Sequence, residues 1–125
     1  MISGIGIDIV HARRMERWRQ NPGLLTRFFH PDEINASLAK GAGANMSLAA
    51  RFAAKEALGK ALGTGLEGIV LKEISVINRQ NGQPELFVYG KTLEFLNKIG
   101  AGRIHLSLSH EEEYAIAMVV LEGKP

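Results

Sequence analysis

Close to the N-terminus, Ile5, Ile7 and Ile9 alternate with Gly4, Gly6 and Asp8. Alternation with period two marks a β-strand, so residues 2–10 are predicted to form a strand with one bulky face and one almost bare. A strand face without side chains leaves space that a ligand or another backbone enters. Asp8 shares that bare face. Burying its carboxylate uncompensated costs several kcal/mol, so it should meet a cation, a donor cluster or a water-filled cleft; capping a neighbouring loop is an equal alternative.

The longest predicted helix covers 46–62, with Gly63 in the position that ends a helix through a left-handed conformation. On a helical wheel Leu48, Phe52, Leu58 and Leu62 form a bulky sector, and Ala50, Ala53, Ala54, Ala57 and Ala61 cover most of the opposite side. Such a helix packs on more than one side. Before it the sequence predicts a helix over 12–20, a breaker at Asn21-Pro22-Gly23, a short helical piece over 24–29, a further turn or helix opened by Pro31, and a loop over 41–45. Asp32 and Glu33 sit well for the positive end of a helix dipole. After it come strands over 69–78 and 85–89 around the turn Gln80-Asn81-Gly82-Gln83-Pro84, and a helix over 91–99. Strands over 103–109 and 114–122 then join through the acidic turn 110–113. This order predicts an α+β fold, a mainly antiparallel sheet packed with a long central helix.

At 125 residues the chain suits a single domain, 1–125. No apolar run reaches membrane-spanning length, and the N-terminal stretch lacks the flanks of a signal peptide, so a cytoplasmic protein without a membrane partner is expected. The absence of cysteine removes thiolate catalysis and cysteine-held metals. Net charge is only +2, but residues 1–60 carry nine Lys/Arg against five Asp/Glu, and Arg13, Arg14, Arg17, Arg19 and Arg27 cluster around the single acid Glu16. That patch suits an acidic partner, and equally a solvated helix face.

Three places carry candidate chemistry. Asp8 is the first. Glu56 and Lys60 are the second, one helical turn apart beside small alanines, with Arg51 and Lys55 further round the helix so that cations flank the glutamate. A carboxylate among cations is what magnesium plus phosphates requires, although an idle surface ion pair has the same spacing. Gly63-Thr64-Gly65 behind them suits either backbone approach to a phosphate or a plain helix stop. The third is Ser107-Leu108-Ser109-His110, where the serines share a strand face and His110 begins a turn; no oxyanion-hole glycine pattern accompanies them, so a hydrolase is a poor reading.

Together these segments resemble the holo-[acyl-carrier-protein] synthases, the short class of 4′-phosphopantetheinyl transferases. Gly4-Ile5-Gly6-Ile7-Asp8-Ile9-Val10 is similar to that family's opening motif, Arg51-Phe52-Ala53-Ala54-Lys55-Glu56-Ala57 with Lys60-Ala61-Leu62-Gly63-Thr64-Gly65 to its central one, and Ser107-Leu108-Ser109-His110-Glu111 with Tyr114-Ala115-Ile116-Ala117 to its closing one; Asn81-Gly82-Gln83-Pro84 matches its hairpin turn. The resemblance implies transfer of 4′-phosphopantetheine from coenzyme A to a serine of apo acyl carrier protein, releasing adenosine 3′,5′-bisphosphate. It implies magnesium held by Asp8 and Glu56, and Lys60 on the pyrophosphate. Arg51, Gly63, Gly65, Pro84, Ser107, Ser109 and His110 are implied for the rest of the coenzyme. It also implies a homotrimer with sites between subunits. The base that takes the serine proton stays open among Glu56, Glu111 and a water. The acidic carrier protein would dock on Arg13, Arg14 and Arg17 with Met15 as apolar anchor. His11 departs from the family, which often has an acid there.

The competing class is a non-catalytic nucleotide or nucleic-acid binding module, suggested by the arginines. The modest net charge and an aromatic content of 6% without a stacking stripe weaken it. No nucleic-acid partner is expected.

Overall fold

The computed structural model, which describes residues 1–125, runs β1 (Ile2–His11), α1 (Arg14–Arg19), α2 (Pro22–Phe28), α3 (Pro31–Leu38), α4 (Ala44–Leu62), β2 (Ile74–Asn78), β3 (Pro84–Val88), α5 (Gly90–Lys98), β4 (Ala101–Glu111) and β5 (Tyr114–Gly123). One antiparallel sheet has the order β1-β5-β4, and β2 and β3 form a separate antiparallel pair. The mixed fold with a long central helix is as the sequence predicts.

Backbone fills the bare face of β1. A methyl group on Gly4 would overlap the carbonyl oxygen of Ala61, and one on Gly6 that of Ala57. Strand and helix therefore touch main chain to main chain. In β5, Ala115, Ala117, Val119 and Leu121 turn to the same side and are buried, closing a core with Ala53, Ala54, Ala57 and Leu58 of α4. The far side of α4 carries Leu48 and Phe52 against the short helices and β2. The other face of the sheet is open: Ile5, Ile7 and Ile9 are 65%, 59% and 56% exposed, beside the exposed Met118 of β5.

Several boundaries shift for local reasons. The segment 12–20 is helical only from Arg14, because the Ala12 amide donates to Glu113 and holds the chain to the sheet. The helix expected from 46 starts at Ala44, led in by a 3₁₀ turn at Gly41–Gly43 where a loop was expected. The strand expected over 69–78 exists only as Ile74–Asn78. The preceding residues are committed to the start of α5: Glu73 Oε1 accepts from the Thr92 amide (3.0 Å) and hydroxyl (2.8 Å), and the Val70 amide donates to Thr92 Oγ1 at 2.9 Å. At the other end of the chain β4 continues to Glu111, so His110 lies within the strand and only two residues separate β4 from β5.

Under α4 lies an ion pair that the sequence does not announce. Lys55 and Glu33 are both 0% exposed. Lys55 Nζ donates to Glu33 Oε1 (2.5 Å) and to the carbonyls of Phe28 and Leu71 (2.9 Å each). Glu33 also accepts from the amides of His30 (3.0 Å) and Val76 (2.9 Å). Burial lowers the Lys55 pKa while Glu33 pulls it back up. One pair thus joins the end of α2, the cap of α3, α4 and β2. Removing one partner of a buried pair strands the other charge, so Lys55→Met is expected to lower unfolding free energy by about 3 kcal/mol in a denaturant titration.

Candidate active site

The close approach of β1 to α4 places Asp8 beside the helix. Lys60 reaches back across the contact: its Nζ lies 2.9 Å from the Ile7 carbonyl oxygen and 3.2 Å from Asp8 Oδ1. Glu56, one turn earlier, is half-buried and its carboxylate accepts no hydrogen bond. Burial raises the Glu56 pKa, and the Asp8 charge raises it further, against smaller opposing effects of Lys60 and Arg14. Two carboxylates 48 positions apart in sequence thus sense one another. No third acid or histidine joins them. Such a pair suits a hard divalent cation that takes two protein oxygens and fills its other positions with water and phosphate oxygens.

Of the cations expected around Glu56, Lys60 is in place and Arg51 and Lys55 are not. Lys55 belongs to the buried pair with Glu33, and Arg51 points into the fold, its Nε donating to Val76 O at 3.0 Å and Nη1 to Ser47. Lys60 and Arg14 take the flanking places. Arg14 is fixed by aromatic faces, its guanidinium carbon 5.6 Å from the Phe52 ring centre and 6.0 Å from that of Trp18.

The arginines of the first helix do gather, and Met15 does not join them. Met15 is 0% exposed, part of the hydrophobic core. The register of α1 turns it inward, so it is no anchor for a partner. The apolar element on that surface is Trp18, which with His11, Arg13, Arg14 and Arg17 lines a groove of about 540 Å³. The sequence signal for it was available: Trp18 follows Arg14 by one helical turn.

The remaining candidates fall into separate groups. Arg51, Ser109 and His110 share a cavity of about 340 Å³ with Ser47 and Asn78. Pro84 pairs with Asn78 in the hairpin and lines the neighbouring cleft with Ile104 and Leu106. Ser107 and Ser109 pair with Met118 and Ile116, on the open face of the sheet opposite to Asp8. Gly63 and Gly65 stop α4. Both have positive φ, and their amides are already used, donating to Lys60 O (3.1 Å) and Gly59 O (3.0 Å). Of the two readings of these glycines, the structure supports the helix stop. They adjoin the start of β1, where Thr64 and Ser3 line one cavity, rather than Asp8.

The sequence profile of the 4′-phosphopantetheinyl transferase superfamily matches residues 4–119. The holo-[acyl-carrier-protein] synthase of Treponema denticola is 53% identical over 123 residues, covering 98% of this chain and all of that protein. The crystal structure of holo-[acyl-carrier-protein] synthase from Neisseria meningitidis superposes with a TM-score of 0.88 at 37% identity, covering 98% of this chain and 99% of that one. The Bacillus anthracis holo-(acyl-carrier-protein) synthase, in complex with CoA (3′,5′-ADP), superposes with a TM-score of 0.81 at 36% identity and 99% coverage of both.

Proposed function

Because this chain belongs to the 4′-phosphopantetheinyl transferase superfamily, we propose that it transfers 4′-phosphopantetheine from coenzyme A to a serine of apo acyl carrier protein, acting as one domain over 1–125. The observation that carries this reading is the meeting of Asp8, Glu56 and Lys60 across the contact between β1 and α4. Asp8 and Glu56 would hold magnesium, which supplies Lewis acidity and a template for the pyrophosphate when bound.

The serine hydroxyl gives its proton to a base, for which Glu56, Glu111 and a water are the candidates, as its oxygen bonds to the β-phosphorus. The bond to adenosine 3′,5′-bisphosphate breaks with its electron pair on that leaving group, while charge builds on the phosphoryl oxygens. Lys60 stands 55% exposed by side chain, free to exchange the Ile7 carbonyl for those oxygens and stabilise that charge. Little covalent chemistry is asked of the protein, so positioning carries the rate. Arg51, Pro84, Ser107, Ser109 and His110 would bind the adenosine end, and Gly63 and Gly65 would shape the end of α4 next to the start of β1.

These groups lie on two faces of one chain, which fits a site assembled between copies. The exposed Ile5, Ile7, Ile9 and Met118 form the surface a second copy would cover, and we assign a homotrimer, read out as three chain masses in light scattering. The carrier protein would dock on Arg13, Arg14 and Arg17. Arg14→Glu is then expected to raise KM for the carrier protein about tenfold and leave KM for coenzyme A near its original value; equal increases would argue against docking. The reaction itself is tested by mass spectrometry of apo carrier protein incubated with coenzyme A, magnesium and this chain. A gain of about 340 Da on serine, the size of the attached group, is expected; an unmodified serine contradicts the reading.

A further inference from the structure

The acidic turn between β4 and β5 folds onto the arginine groove. Its last residue, Glu113, is placed by main chain: its carbonyl accepts from the Ala12 amide at 2.7 Å, and Glu112 before it turns the chain with φ 55°. Glu113 Oε2 then lies 3.2 Å from His11 Nε2 and 3.7 Å from Arg13 Nη2. His11 is held in place as well. Its Nδ1 accepts from the Arg13 amide at 3.0 Å, and its ring stands edge-on to Tyr114 at 4.9 Å. Arg14 and Arg17, which line the same groove, make no ion pair.

We propose that Glu113 is an internal stand-in for a partner's carboxylate, occupying His11 and Arg13 until an acidic protein surface displaces it. The inference rests on the docking of acyl carrier protein proposed above and specifies what that docking must overcome. An isolated acid arriving at the groove exchanges one carboxylate for another and gains little. A surface dense in acids satisfies Arg14 and Arg17 at once and outcompetes Glu113. The turn therefore selects for strongly acidic faces by weakening the response to sparse ones.

The test compares Glu113→Gln with Glu112→Gln, which removes the same charge from the same turn but from a side chain outside the ion pairs. Trp18 is the only tryptophan of the chain and lines the groove, so its emission during titration with apo carrier protein reports docking without turnover. At low ionic strength Glu113→Gln is expected to lower both the Kd and the KM for carrier protein about threefold, the scale of an exposed ion pair. KM for coenzyme A should stay unchanged, and the gain should vanish in high salt. Glu112→Gln should give less than half that gain. Unchanged or weaker docking in Glu113→Gln overturns the inference, as does an equal gain in Glu112→Gln. A chain that shows this docking pattern yet transfers nothing would sink the proposed reaction and leave the stand-in role supported.

Discussion

Gly6→Ala is expected to cost more than about 5 kcal/mol, enough to abolish a cooperative melting transition near room temperature. The added methyl would overlap the Ala57 carbonyl oxygen and lie 2.8 Å from the Ala61 amide nitrogen. Both are main-chain atoms of a helix packed on two sides, so neither can swing away as a flexible side chain does. Relief would require α4 to lift off β1, which opens the core around Ala57, Val119 and Leu121. Circular dichroism melting of the variant checks it; a melting temperature within a few degrees of the parent would mean that strand and helix are not in main-chain contact.

Asp8→Asn and Glu56→Gln are expected to lower transfer about a thousandfold each, since either change removes one of the two carboxylates proposed to hold magnesium and its contribution to the charged transition state. Their effects on stability should be different from that of Gly6→Ala. The Glu56 pKa is raised by burial and by Asp8, so the folded chain holds that proton to higher pH than the unfolded chain does. Stability therefore falls as pH rises from the ordinary carboxylate range through the raised folded value, and stays reduced above it. A neutral glutamine escapes this penalty. Metal-free Glu56→Gln should melt a few degrees above the parent at neutral pH, by calorimetry, and the difference should shrink on acidification. An inactive variant that is more stable than its parent is the signature of a site that stores unfavourable charge for function.

The contact that builds the site was legible in the sequence because both of its halves are written in residue size. Gly4 and Gly6 leave one strand bare, Ala57 and Ala61 leave one helical stripe shallow, and the two periodicities are local. The resemblance to the transferase family, rather than that periodicity, implied that Asp8 and Glu56 meet, and the bare strand face and shallow helical stripe leave room for it. Local reading failed where a residue's role depends on distant partners. Glu33 reads as a first-turn acid at a helix dipole, and it does serve in the cap of α3, but its burial with Lys55 depends on α2, α4 and β2 closing over it. Lys55 was consequently placed with the active-site cations. Met15 and Trp18 are told apart by how α1 packs, Met15 being sealed in the core while Trp18 lines the groove. Residues 69–73 have strand-like composition, yet Glu73 and Val70 find their hydrogen-bond partners at Thr92, a long-range contact that overrides local preference.

The central claim, that Asp8 and Glu56 jointly hold one divalent cation, is tested most directly by titrating the 125-residue chain with Mn²⁺ as a paramagnetic substitute for magnesium, in the presence of coenzyme A, and following free metal by electron paramagnetic resonance. One site per chain is expected, lost in Asp8→Asn and lost again in Glu56→Gln while both variants keep their fold. Retention of that site with parental affinity in either variant would contradict the account.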